Sequence, residues 1–104
     1  PLTVTPRQGF WLNHVHEIVD ETAFFAYAET SMSHFSCATF GTVVHQHTGA
    51  QKIELAAALG FDSIDKATEI YSTPEYKAAL ATGGMEKGEG HVVHRTICAI
   101  EAAG

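Results

Sequence analysis

The sequence has few cysteines, few basic residues and no long apolar run, and each shortage excludes a class of protein. Two cysteines among 104 residues are too few for a disulfide framework. Six Lys and Arg residues against 12 Asp and Glu residues give a formal net charge of −6. This charge argues against a nucleic-acid partner, because phosphates require a basic face. No apolar stretch is long enough to span a bilayer, so we expect no contact with a membrane.

The N-terminal sequence and the chain length indicate where the protein resides and how many domains it has. No basic region followed by an apolar run opens the sequence, so it does not resemble a signal peptide and we expect a cytoplasmic protein. Cys37 and Cys98 lie in apolar stretches, where we expect them to be small buried side chains. We expect an irregular arm over residues 1–8 and one domain over residues 9–104, small enough to benefit from oligomerisation.

Extended patterns predict four strands. The clearest is the first, where apolar and polar residues alternate over Gly9–Ile18. Enrichment in β-branched and aromatic residues predicts a second strand over Ser36–His47, and strict alternation predicts a third over Gln51–Phe61. The fourth is predicted over His91–Ala102.

Helical spacing and capping residues predict two helical regions. The first covers Glu21–His34, directly after the good N-cap Asp20. The second begins after Ser63, restarts at Pro74 and ends near Ala81.

The predicted element order is β-α-β-β-α-β, the α+β arrangement known as ferredoxin-like. Its usual sheet has the strand order 4-1-3-2 and is antiparallel throughout. A glycine-rich segment, Thr82–Gly90, precedes the last strand, and we expect it to be a mobile loop.

Two motifs resemble the domain of unknown function 1330 family. Its "F-x-S-x-x-x-A-x-x-x-Y-x-S-P-E-Y" signature resembles the stretch that contains Phe61, Ser63, Ala67, Tyr71, Pro74, Glu75 and Tyr76. Its "T-D-P-x-x-Y-x-x-Y" entry to the first helix is similar to the stretch that contains Asp20, Phe24 and Tyr27. The resemblance implies a homodimer in which two ferredoxin-like sheets face each other as a dimeric α+β barrel. Related small barrels include monooxygenases, isomerases, polyketide cyclases and dehalogenases, so the resemblance implies no single reaction.

Histidine is abundant, with seven residues in the chain. In the predicted sheet, the C-terminal ends of the first two strands adjoin the N-terminal ends of the last two. Six of the seven histidines therefore converge on one end of the sheet, near Lys52 and Glu54. The candidate catalytic residues are His14, His16, His45 and Glu54, together with His47, Lys52 and His94.

Alternation predicts which face these side chains use. Residues two apart on a strand share a face, so His14 and His16 point the same way, and we place them inside the barrel. The third strand directs its leucines to the helices, which turns Lys52 and Glu54 to the barrel interior. A turn of even length then pairs His45 with Glu54 and His47 with Lys52.

Three functions fit this pattern. We favour a cofactor-independent enzyme of the isomerase, cyclase or lyase type, in which His and Glu perform acid–base chemistry on an apolar or aromatic small molecule in the barrel cavity. The two His-x-His pairs also fit an enzyme with a transition metal bound by His. The third alternative is a non-catalytic dimer that binds a small molecule.

Overall fold

The structure, a computed structural model, describes residues 8–103 and folds them into four strands and three α-helices. The predicted arm over residues 1–8 lies outside the described residues, apart from Gln8. The elements are β1 (Gly9–Ile18), α1 (Glu21–Ser31), β2 (Cys37–Thr42), β3 (Leu55–Phe61), α2 (Ile64–Glu69), α3 (Pro74–Thr82) and β4 (Val93–Glu101). Single 3₁₀ turns, Met32–His34 and Ile70–Ser72, follow α1 and α2. Within the described residues, no helix combines the length and apolar character needed to cross a membrane.

The four strands form one antiparallel sheet in the order β2-β3-β1-β4, which is the predicted order read from the opposite edge. β1 is central and pairs with β3 on one side and β4 on the other. Its pairing with β4 shifts between Val15 and Glu17, where one residue is left out of the register. The predicted ferredoxin-like α+β fold is confirmed.

Each α-helix starts at a side-chain cap. An oxygen of Asp20, Ser63 or Thr73 accepts the backbone N–H three residues later, at 3.0, 3.2 and 3.2 Å respectively. Pro74 occupies the first turn of α3, where its missing N–H costs nothing. These local rules made the helix starts predictable, whereas the last predicted turn of the first helix, at His34, is 3₁₀ rather than α.

Trp11 lies at the centre of the core between the sheet and the helices. It is 2% exposed, and its indole Nε1–H donates to the Ala67 carbonyl at 2.6 Å. The rings of Phe61 and Tyr76 meet it edge-on, with centroids 5.2 and 5.3 Å away. This geometry is favourable for aromatic pairs and fixes β1 against α2 and α3.

β2 and β3 are shorter than predicted. The second strand ends at Thr42 rather than His47, and the third begins at Leu55 rather than Gln51. The connection between them is therefore a long irregular segment, residues 43–54, instead of a tight turn.

The Gln46 side chain explains this difference. Its Nε2 donates to the carbonyls of Thr48 at 2.9 Å and Gln51 at 3.0 Å, and its Oε1 accepts the Ile53 N–H at 2.8 Å. One amide side chain thus satisfies backbone groups that a longer hairpin would pair with each other. Strand propensity along the sequence does not reveal that a side chain will take the place of backbone pairing.

The glycine-rich segment before β4, expected to be mobile, is anchored at two points. Met85 is 2% exposed, and its N–H donates to the Leu80 carbonyl at 2.8 Å. Further along, Glu89 accepts hydrogen bonds from Arg95 of β4. The segment is tied to the core at both positions.

Candidate functional site

The helices cover one face of the sheet and leave the other open. On β1, Trp11 and Val15 are buried beneath the helices, whereas Leu12, His14 and His16 on the opposite face remain partly exposed. We call this uncovered surface the open face. The prediction that His14 and His16 share one face is confirmed, and this face is turned away from the helices.

The open face is mostly apolar or small around the histidines. On β3 and the edge strands it carries residues that include Cys37, Ala56, Ala58, Gly60, Cys98 and Ile100. Both cysteines are exposed in the single chain, which corrects the expectation that they are buried. The face therefore offers little that competes with the imidazoles for a polar ligand.

His14 lies at the centre of this face without a fixed partner. In the register it faces Ala56 on β3 and Thr96 on β4. It is partly buried, and among residues 8–103 its ring makes no hydrogen bond. Both imidazole nitrogens are thus free to exchange a proton with a ligand.

His16, two residues on, is held in place. Its Nδ1 lies 3.2 Å from the Lys52 carbonyl oxygen, and its Nε2 lies 3.2 Å from the Thr96 hydroxyl. A carbonyl only accepts, so Nδ1 carries a proton and Nε2 of the neutral ring accepts from the hydroxyl. This tautomer fixes the ring orientation beside His14.

His94 lies on the same side, as predicted, but at the rim. Its Nε2 is 3.7 Å from Glu17, and both side chains are more than half exposed. A contact this exposed contributes little to stability.

His45 and His47 do not join the other histidines. Both are exposed in the segment 43–54, and their rings contact each other with centroids 4.3 Å apart. The predicted pairing of His45 with Glu54 fails because regular pairing stops before either residue. In the described part of the chain, Glu54 makes no hydrogen bond or ion pair with a histidine, although its backbone N–H donates to Val15.

The described residues form no preformed site for the transition metal of the second alternative. Within residues 8–103, no three His, Cys, Asp or Glu side chains are placed to hold one ion. Lys52 contributes its backbone carbonyl to His16, while its side chain is exposed.

Sequence reasoning missed a cluster on the helix side, in which Arg95 and the buried Tyr27 and Tyr76 meet the more exposed Glu89 and Tyr71. The Arg95 side chain is 1% exposed. Its Nε donates to Glu89 at 2.7 Å, and its Nη1 donates to the Tyr27 hydroxyl at 3.0 Å. Tyr27 and Tyr76 share a hydrogen bond between their hydroxyls, which closes the network.

The signal for this cluster was visible in the sequence. Arg95 alternates with Val93 and Ile97 on the face of β4 that packs under the helices, and a charge there requires a partner. Burial alone lowers the pKa of Arg95, but its hydrogen bonds to Glu89 and the nearby phenols outweigh this and raise it. The guanidinium therefore stays charged. Beside it lies a cavity of about 430 Å³ that Tyr71 helps to line.

The buried phenol of Tyr76 predicts a loss of stability in alkali. Burial, and then the neighbouring Tyr27, raise its pKa well above the usual 10.0. The unfolded chain therefore loses this proton first, so the free energy of unfolding falls above about pH 10, by up to ~1.4 kcal/mol per pH unit for this group. Chemical denaturation at increasing pH measures how steeply the free energy of unfolding falls with pH. Tyr76→Phe should make this fall shallower. An unchanged slope in that variant would contradict the assignment.

Comparison with known proteins places the chain in a family. A family model described as "Domain of unknown function (DUF1330)" matches residues 8–87. The chain belongs to this family. The resemblance carried by the Pro74-Glu75-Tyr76 motif is thereby confirmed, and in the structure Tyr76 packs against Trp11. None of the curated proteins matches the sequence significantly.

Solved structures resemble this DUF1330 protein in fold at low sequence identity. A dimeric ferredoxin-like protein of unknown function from Thermobifida fusca has 14% identity and a TM-score of 0.58, covering 98% of this chain and 97% of its own. An ethyl tert-butyl ether degradation (EthD) family protein from Bacillus halodurans has 16% identity and a TM-score of 0.57, covering 88% and 96%. A dimeric protein of unknown function with a ferredoxin-like fold from Bacteroides fragilis has 13% identity and a TM-score of 0.55, covering 91% and 96%. At these identities the likeness establishes the fold.

Proposed function

We propose that this DUF1330 protein is a homodimeric, cofactor-independent enzyme that moves protons on an apolar or aromatic carbonyl compound. The observation that carries the proposal is His14, a partly buried imidazole on the open face that has no hydrogen-bond partner among residues 8–103. Next to it, His16 is fixed by two hydrogen bonds. A free imidazole beside an oriented one, on an apolar surface, suits general acid–base catalysis.

A second copy of the chain is needed to make a cavity from this surface. The open face exposes apolar groups such as Ile100, which is 40% exposed, and a flat sheet alone cannot enclose a small molecule. The Thermobifida fusca and Bacteroides fragilis proteins are named as dimeric, which supports the same assembly here. Two facing sheets exclude water and strengthen the electrostatic interactions between them.

In the proposed reaction, His14 removes a proton from a carbon beside a carbonyl group. The C–H electron pair forms the enolate double bond, and the negative charge develops on the carbonyl oxygen. The Lys52 ammonium, whose backbone already contacts His16, supplies positive charge near that oxygen. The imidazolium N–H of His14 then exchanges with solvent, so delivery of a solvent-derived proton to the same carbon gives hydrogen exchange. Delivery of the proton to a neighbouring carbon isomerises the substrate.

Deuterium exchange into phenylacetone tests this chemistry without knowledge of the natural substrate. This ketone is apolar and aromatic and has an acidic C–H beside its carbonyl. We expect the protein to speed deuterium uptake above the rate in buffer, as followed by NMR. A rate equal to that in buffer at saturating ketone would contradict the proposed reaction.

The dimer is tested separately by a charge placed on the open face. We expect sedimentation velocity to give twice the chain mass of 11.2 kDa. Leu12→Lys would bury an unpaired ammonium between the sheets, so we expect the dimer dissociation constant to rise at least about 100-fold. Thr22→Lys adds the same charge on the exposed surface of α1 and should leave the dimer intact. A wild-type monomer, or an undisturbed Leu12→Lys dimer, would contradict this assembly.

A further inference from the structure

A second cavity lies on the helix side of the sheet, beneath α1. Its volume is about 370 Å³, within the size range of small-molecule sites. The walls are almost entirely apolar and include Phe24, Ala28, Phe35, Phe40, Leu55, Ala57 and Leu59. Phe40 also lines this cavity and is 60% exposed at its mouth.

Asn13 brings a buried polar side chain into this mostly apolar lining. It lies on β1 between Trp11 and Val15, on the face that packs under the helices, and it is 6% exposed. Its Oδ1 is buried and accepts no hydrogen bond from any of residues 8–103. Leaving such an acceptor unpaired is costly, so the position calls for a donor that residues 8–103 do not supply.

The charge around the cavity limits which kind of ligand can donate a hydrogen bond to Asn13. Among residues 8–103, Glu29 is the one charged residue in the lining, and it is exposed on α1. Its carboxylate disfavours an anionic ligand, and the described lining places no acidic group beside Asn13 to neutralise a cationic one. An uncharged ligand therefore fits best.

We propose that this cavity is a binding site for a neutral aromatic compound of one or two rings that carries a hydroxyl or N–H group. The rings occupy the space between α1 and the sheet, against Phe24 and Phe35. The hydroxyl or N–H donates to Asn13 Oδ1. This site lies on the opposite side of the sheet from His14 and does not depend on the proposed reaction.

Three bicyclic probes of nearly the same shape test the proposal by calorimetry. Indole has an N–H donor, indene has no polar atom, and benzofuran has only an acceptor. We expect the wild-type protein to bind indole about 3- to 10-fold more tightly than indene, as one buried hydrogen bond allows, and benzofuran no more tightly than indene. Equal affinities, a preference for benzofuran, or no saturable binding of indole would overturn the proposal.

Variants locate the binding. Asn13→Leu should abolish the preference for indole over indene while keeping the binding of indene. Ala28→Leu fills the cavity from α1 and should lower the affinity for all three probes by at least about tenfold. Ala26→Leu lies on the same helix but outside the lining, and it should leave these affinities unchanged. If Asn13→Leu fails to fold, the pair of alanine variants still decides. Unchanged indole binding in Ala28→Leu would show that the cavity is not the site.

Discussion

Replacing Arg95 by Gln lowers the free energy of unfolding by about 3–5 kcal/mol, the expected cost of breaking a buried ion pair. The guanidinium is almost fully buried and donates to both Glu89 and Tyr27. Glutamine cannot reach both partners, so the Glu89 carboxylate loses its counter-charge. The segment before β4 loses one of its two attachments at the same time, while the anchor at Met85 remains.

Urea denaturation measures this effect against two controls. Lys66→Gln removes an exposed positive charge from α2 and should change stability by less than about 0.5 kcal/mol. The double variant Arg95→Met with Glu89→Leu removes both charges, so it should be less destabilised than the sum of the two single changes. A loss below about 1 kcal/mol in Arg95→Gln would contradict the role of the cluster.

Replacing His14 by Gln lowers the rate of deuterium exchange into phenylacetone by about 10²- to 10⁴-fold, the usual cost of losing a general base. Glutamine keeps the approximate size of the side chain and removes the group that exchanges the proton. Folding should be unaffected, because His14 makes no hydrogen bond with residues 8–103.

Two further variants separate the role of His14 from a general effect of histidine. Thr96→Val removes the hydroxyl beside His16 and should lower the rate less than His14→Gln does, because it frees that ring without removing it. His34→Gln changes a histidine on the helix side, near Tyr76, and should leave the rate unchanged. Full activity in His14→Gln would exclude His14 as the base.

The fold was predictable wherever local rules decide it. The alternation of β1, the caps at Asp20, Ser63 and Thr73, and the order of the elements lead to the antiparallel sheet that is observed. The ends of β2 and β3 were not predictable, because the side chain of Gln46 takes over the backbone hydrogen bonds there. The hydrogen bond between the Gln46 side chain and the Ile53 backbone joins residues seven apart, and it leaves no periodic pattern in the sequence.

The candidate site was likewise predictable where strand alternation decides it, and not where it depends on the length of a turn. Alternation correctly turned His14 and His16 away from the helices, whereas the contact between His45 and Glu54 depended on a turn length that the chain does not adopt. Arg95 and Asn13 were overlooked, although each is a polar residue at an apolar position of its strand. Polar residues at such positions indicate either a buried partner, as for Arg95, or a site for a ligand, as we propose for Asn13.

The proposed site is complete only when a second copy of the chain covers the open face. The rate of deuterium exchange per chain should therefore depend on protein concentration, measured on the unaltered protein across a dilution series. We expect the rate per chain to follow the fraction of dimer found by sedimentation, and Leu12→Lys to shift the curve to higher concentration. A rate per chain that stays constant while the dimer dissociates would contradict it.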